Sequence, residues 1–241
     1  LSTQLVIQAG HVLGEDVEAY EELYPAIVSA FRSAYPEYRT QTECTVAVWF
    51  GLAEYPQQSA DELAELVKKD GCRLRTGFVG TPFLLHVLSR YGHEDLAYTL
   101  LLRREYPSWL YPVTKGATTI WEHWDGIMED GGFWSADMNS FNHYAYGSVA
   151  DWIYEEAAGI RPLEPGFARV QVAPKPDRRL GWLEASIETR NGVVRSRWEY
   201  RDGGVRYEIE TEMPVIVVID GRDRSMPAGN YIFWGSEKEN K

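Results

Sequence analysis

Cysteine is scarce in this chain: Cys44 and Cys72 are the only two in 241 residues. That excludes a disulfide framework and a cysteine-rich metal site. It predicts two reduced core thiols in a cytoplasmic protein. No apolar run reaches the roughly 18 residues that a membrane span needs, so none is expected. Positive charge is in deficit, with 24 Lys and Arg against 36 Asp and Glu and a net charge of −12. Phosphate backbones are bound by clustered Lys and Arg, so a nucleic-acid partner is excluded. Leu1-Ser2-Thr3-Gln4 has neither a basic start nor an apolar core, so no signal peptide is read there. It begins as if in mid-helix and without Met, which points to a fragment boundary. Thr76 to Thr81 has two glycines and no Lys, and the chain has no Gly-x-Ser-x-Gly elbow. A phosphate loop and that type of serine hydrolase are thereby excluded.

What is present divides the chain near Arg161-Pro162-Leu163-Glu164-Pro165-Gly166. Before it the apolar period is helical. After Asp16, a candidate cap, Val17, Tyr20, Tyr24, Ile27, Val28 and Phe31 share one face, with a kink or break expected at Pro25. Further helices are predicted over Cys44 to Leu52, from near Ser59, from Thr81-Pro82 to Gly92, and from Glu94 to Arg104. A last helix is predicted over Ser140 to Ala158, capped by Asp137, with His143, Gly147 and Ala150 on one stripe. Paired helices with short loops suggest an array or toroid of helical hairpins.

Beyond residue 161 the period is two. Ala168, Val170 and Val172 alternate, as do Val205, Tyr207 and Ile209, and Val215 to Ile219 is a short apolar run. Turn signals recur at Asn191-Gly192, Asp202-Gly203-Gly204, Asp220-Gly221 and Gly229-Asn230. The fold class expected is therefore α + β and multidomain. Residues 1–160 form part of a helical toroid and residues 161–241 an antiparallel β-sandwich, its charged tail from Glu237 to Lys241 frayed.

Residues 107–147 concentrate aromatics, carboxylates, histidines and amides. Such a mixture stacks flat apolar faces of a ligand and hydrogen-bonds its edges, and sugars present both surfaces. Glu122 stands among Trp121, His123 and Trp124, where partial desolvation readies a carboxylate for proton transfer. His143, between Asn142 and Tyr144, is suited to bonding a sugar hydroxyl or to holding Glu122; a buried histidine without a ligand is the alternative. Of Trp109, Trp121, Trp124 and Trp134, one or two are expected to face a ligand while the others pack. Asp125-Gly126 reads as a turn. His123 and His143 lack a third metal ligand, so no metal is expected.

These motifs, in this order, resemble the C-terminal part of bacterial α-L-rhamnosidases of the inverting type. The matching segments are Thr40-Gln41-Thr42, Thr76 to Pro82, Pro107 to Tyr111, Gly116 to Gly126 and Met138 to Gly147, within residues 10 to 175. The resemblance implies an (α/α)6 toroid followed by a C-terminal β-sandwich, and rhamnose-containing glycosides as substrates. It implies Glu122 as the general base and His143 as a sugar contact. Trp121, Trp124 and Asn142 complete the expected substrate-binding set, and no cofactor or metal is required for hydrolysis. Two departures stand out. No Gly-Asp-Trp occurs, although the family's general acid lies in an upstream acidic segment containing it. Leu74-Arg75-Thr76 replaces the usual Leu-Thr-Thr. The resemblance therefore implies the last half of the toroid plus the sandwich, inactive alone because inversion needs two carboxyls. The other readings are a truncated carbohydrate-binding protein, which could self-associate as a homodimer through exposed toroid helices, and another helical-toroid sugar enzyme such as an unsaturated glucuronyl hydrolase.

Overall fold

The computed structural model describes residues 1–201 and 203–236, in two units, Leu1–Leu96 and Ala97–Lys241. In the first, α1 (Ser2–Leu13) and α2 (Glu18–Ala34) form a hairpin. A Cβ on Gly10 would come within 2.1 Å of Val17 Cγ1, so only glycine allows this approach. Asp16 Oδ1 accepts the Glu18 N–H at 3.1 Å, which helps start α2. The break expected at Pro25 does not occur, and α2 runs through it. One missing N–H donor is tolerated there, and Arg32 ties the end of the helix down through bonds to the Leu52 and Ala53 carbonyls.

The apolar core of this unit lies among α3 (Gln41–Trp49), α4 (Pro56–Lys69) and α5 (Thr81–Arg90). Cys44, Leu63, Ala64, Val67, Leu84 and Leu88 are its buried centre. Burial pushes the Cys44 thiol up to about 12, which makes it inert at neutral pH. α3 starts at Gln41, three residues before the predicted start. Thr40 and Glu43 close a reciprocal capping box there, with bonds of 3.2 and 3.0 Å. α4 likewise starts earlier than Ser59, with Pro56 in its first turn.

α6 (Glu94–Leu101) straddles the division and ends short of Arg104. α7 (Leu110–Thr114) follows, then a long irregular segment, a 3-10 turn over Ala145–Ser148, α8 (Val149–Trp152) and a π turn over Ile153–Ala157. The helix predicted from Ser140 thus begins five residues late. His143 falls outside it, and Asp137 caps no helix; its N–H donates to Ser135 Oγ at 3.2 Å. The reason is competition for backbone groups: Ser140 O and His143 N are bonded to residues 120–122 and cannot serve a helix.

The C-terminal strands form two four-stranded sheets. One is ordered β1 (Ile160–Pro162), β2 (Val170–Val172), β6 (Val215–Ile219), β7 (Arg222–Met226). The other is β3 (Trp182–Thr189), β4 (Gly192–Arg201), β5 (Gly204–Thr211), β8 (Gly229–Ser236). Pairing is antiparallel except between β2 and β6, which run parallel. Asp220 and Gly221, at φ 51° and 69°, make the two-residue β6–β7 turn in which Ile219 pairs with Arg222. Gly229-Asn230 is not a turn: it opens β8, where Gly229 pairs with Thr211.

The two inner faces meet in one core. Val194, Trp198, Val205, Tyr207 and Ile209 contribute from one sheet, and Val170, Val172, Val215, Val217 and Ile219 from the other. The preceding turn is built into it. Trp198 Nε1 donates to the Ala157 carbonyl at 2.8 Å and Ser196 Oγ to the Ala158 carbonyl at 2.7 Å. Glu156, fully buried, is held by Arg161 and by Lys175 at 3.1 Å, as a buried carboxylate requires. Among the described residues no helix is long and apolar enough to cross a membrane.

Candidate active site

The second unit brings Glu122 and His143 together through backbone pairing. The Glu122 N–H donates to Ser140 O at 2.9 Å, and the His143 N–H donates to Ile120 O at 2.8 Å. The Ser140 N–H in turn donates to Glu122 Oε2 at 3.0 Å, and Thr119 Oγ1 bonds the Phe141 carbonyl. Two segments that are eighteen or more residues apart thus lie side by side without forming a strand pair. One carboxylate oxygen of Glu122 is fixed by the main chain. The side chain is half-buried, so it can still meet solvent.

His143 is half-buried, and its Nδ1 accepts the Ala145 N–H at 3.3 Å. A neutral ring that accepts at Nδ1 carries its proton on Nε2, and so offers a donor there. Its face stacks on Tyr144, with centroids 5.2 Å apart. Asn142 is exposed, and its N–H donates to Ser140 Oγ at 3.3 Å.

The tryptophans divide by burial. Trp121 and Trp124 are buried. Trp124 stacks on Tyr146 at 3.7 Å and meets Trp109 edge-on at 5.4 Å. Trp109 Nε1 donates to the Tyr146 carbonyl at 2.9 Å. Trp121 meets Phe141 edge-on at 5.0 Å. These rings form a packed floor that locks α7 and both motif segments in register. Trp134 is the exposed indole of the four, at 45%, and stacks on His123 at 3.7 Å. Asp125 lies in a turn closed by the Gly126 N–H to His123 O at 3.2 Å.

Two structural residues were missed by sequence reasoning. Gly126 sits where a Cβ would be 3.0 to 3.2 Å from Asn139, Phe141 and Trp121. Asn139 Nδ2 donates to the Gly126 carbonyl at 2.8 Å. Both lie inside the motifs, but only the three-dimensional closeness of residues 126 and 139 reveals their role. In the first unit, Gln41 plays a comparable part. Its buried amide donates to Asp70 and the Arg73 carbonyl and accepts the Arg75 N–H, at 2.8 to 3.0 Å.

The bacterial alpha-L-rhamnosidase 6 hairpin glycosidase domain matches residues 1–157, and the C-terminal domain of the same enzymes matches residues 159–223. The chain belongs to the bacterial α-L-rhamnosidase family. Its helical region is part of the family's six-hairpin domain, and its sheets are the C-terminal β-domain. An alpha-L-rhamnosidase of Streptomyces avermitilis is 40% identical over 211 residues, which is 84% of this chain and 20% of the relative. The crystal structure of the Streptomyces avermitilis alpha-L-rhamnosidase complexed with L-rhamnose matches with a TM-score of 0.91 at 35% identity. The match covers 97% of this chain and 26% of that one. The native enzyme from Aspergillus terreus matches with a TM-score of 0.88 at 30% identity, over 97% of this chain and 29% of that one. The chain thus spans only 20% of the length of the curated Streptomyces avermitilis relative. It spans 24% of a curated alpha-L-rhamnosidase of Formosa agariphila, to which it is 38% identical over 219 residues.

Proposed function

We propose that this chain supplies the general-base half of an inverting α-L-rhamnosidase site. The supporting observation is the pairing of the two motif segments, in which the Ser140 N–H fixes Glu122 Oε2 at 3.0 Å. Glu122 Oε1 takes a proton from water as that water attacks the anomeric carbon on the face opposite the aglycone. The glycosidic C–O bond breaks, and its oxygen takes a proton from a second carboxylic acid, leaving inverted rhamnose. His143, through Nε2–H, and Asn142 contact the sugar hydroxyls, over a floor shaped by Trp121 and Trp124. The second carboxylic acid lies in a segment upstream of these motifs, so this chain by itself does not turn over.

The test uses 4-nitrophenyl α-L-rhamnopyranoside and calorimetric titration with L-rhamnose. The chain alone should bind L-rhamnose without hydrolysing the glycoside. Joined to an upstream segment that carries the acid, it should hydrolyse, and Glu122→Gln should then cut kcat by about 10²- to 10⁴-fold. Turnover by the chain alone that is lost in Glu122→Gln would sink the half-site reading. Turnover that survives Glu122→Gln would sink the assignment of the base.

A second reading has one observation in its favour. α1 and α2 leave Leu5, Val6, Val12, Leu13, Tyr20 and Leu23 exposed, and apolar side chains left on one helical hairpin favour association. Self-association of the chain through these helices would cover it. A concentration-independent monomer in size-exclusion chromatography would rule that out.

A further inference from the structure

The outer face of the β3-β4-β5-β8 sheet has an unusual layout. Its edge strands carry Trp182 and Trp234, exposed by 59% and 57%. Both point away from the core, since Leu183 and Phe233 beside them pack inward. The register sets them at one level: Trp182 opposes Glu199, Glu199 opposes Arg206, and Arg206 opposes Trp234. Three strand spacings separate the indoles, about 14 Å. Between them lies a lattice of paired charges. Arg197 bonds Glu184 at 3.2 Å and Glu199 at 3.1 Å, Arg201 meets Glu199 at 2.8 Å, and Arg195 meets Glu210 at 3.0 Å. Arg206 pairs with Glu208. The Arg197 guanidinium also sits 5.8 Å from the Trp182 ring centroid.

Protein interfaces are built the other way round, with apolar centres and polar rims. Here the centre is charged and the apolar groups stand at the rim. The arginines are each engaged by glutamates, so the face has no surplus cation for phosphate, and the chain as a whole is strongly acidic. A neutral oligosaccharide fits this layout. Its ring faces stack on the two indoles. Its hydroxyls donate to the glutamates and accept from the arginines, which suits a row where both signs alternate.

We propose that this sheet face binds a neutral glycan several sugars long, with Trp182 and Trp234 as stacking platforms. It is a site separate from Glu122 and independent of hydrolysis. The test is affinity electrophoresis of the full chain in gels containing xyloglucan, arabinogalactan or hydroxyethyl cellulose. At least one of these should retard the chain. Trp182→Ala and Trp234→Ala should each weaken retention about 30-fold, the size of a tryptophan hot spot. The double variant should abolish it, and the double Tyr variant should restore most of it. Glu122→Gln should be retarded as strongly as the parent, each measured against its own mobility in a glycan-free gel. Far-ultraviolet circular dichroism checks that the variants remain folded. No retardation in any gel, or retardation that the Trp variants do not change, overturns the proposal. So does retardation found only in a parallel gel containing the acidic polymer polygalacturonate, or a dimer lost in the Trp variants without any glycan effect.

Discussion

Between Gly116 and Tyr144 the chain forms almost no regular structure, whereas from Trp182 to Ser236 most of the described residues lie in strands. The two regions hold their shape by different means. The sheets rely on register, where each residue's face follows from the one before it. The site loop relies on a few long-range bonds, Glu122 to Ser140 and Asn139 to Gly126 among them, and on indole packing. A lattice of that kind tolerates loss of one contact, because its neighbours repeat the same information. A loop pinned at four or five points does not, but its pins leave side chains such as Glu122 free to be placed for chemistry rather than for pleating. Damage to the sheets should therefore appear as lost stability, and damage to the loop as lost ligand affinity.

The largest stability effect should come from Trp198→Ala, which empties the centre of the sandwich and removes the bond to the Ala157 carbonyl. A cost of about 3–5 kcal/mol is expected, read as a lower urea midpoint. A shift below a third of that would mean the two sheets do not share one cooperative core.

Gly126→Ala should sharpen the contrast. The added methyl meets three neighbours tighter than ordinary contact, so about 1–3 kcal/mol of strain is expected. If the loop is the ligand-binding element, L-rhamnose affinity should fall more than this loss of stability explains. Equal losses in both would make the loop a plain structural element.

Gly221→Ala tests the opposite side of the comparison. Gly221 holds φ 69° in the β6–β7 turn, and a Cβ there costs about 1 kcal/mol. Urea denaturation should show that loss, while titration calorimetry should give unchanged L-rhamnose binding.

The smallest effect concerns pH. Burial alone would raise the Glu199 carboxyl, but the Arg197 hydrogen bond and the Arg201 charge outweigh it and hold it below the usual carboxylate range. A depressed folded value contributes stability that is present above the unfolded value and lost as pH falls through the folded one. Acid denaturation of Glu199→Gln should therefore be flatter below pH 4 than that of the parent. The difference should stay under about 1 kcal/mol, because the arginines that cover Glu199 are themselves part-exposed and solvent screens the pairs. Identical acid profiles would remove Glu199 from the lattice.

Much of the sandwich was legible because period two is a direct imprint of a pleated sheet. The Val205, Tyr207, Ile209 alternation marks the inner face of β5, and Asp220-Gly221 marks the β6–β7 turn. Gly229-Asn230 misled because glycine signals a turn and a strand start equally well. In the helical part, α3 was placed three residues late although Thr40-Gln41-Thr42-Glu43 spells a capping box; the apolar period hid the polar signal. At the site, motif order pointed to Glu122 and His143. The late start of the last helix was not legible, because it depends on distant partners: the Ser140 N–H donates to the Glu122 carboxylate, the Glu122 N–H donates to the Ser140 carbonyl, and the His143 N–H donates to the Ile120 carbonyl.

The turn that delivers the chain into the sandwich has a bearing on how such proteins can be recombined. The two family domains abut at residue 158, which invites a splice there. Yet the Ala157 and Ala158 carbonyls are spoken for by Trp198 and Ser196. Gly159 lies so close to the Ala173-Pro174 backbone that a Cβ would sit 2.2 Å away. A chimera joined at that point must therefore carry the final helical turn, through Gly159, with its own sheets. Otherwise the new seam opens at the centre of the transplanted core.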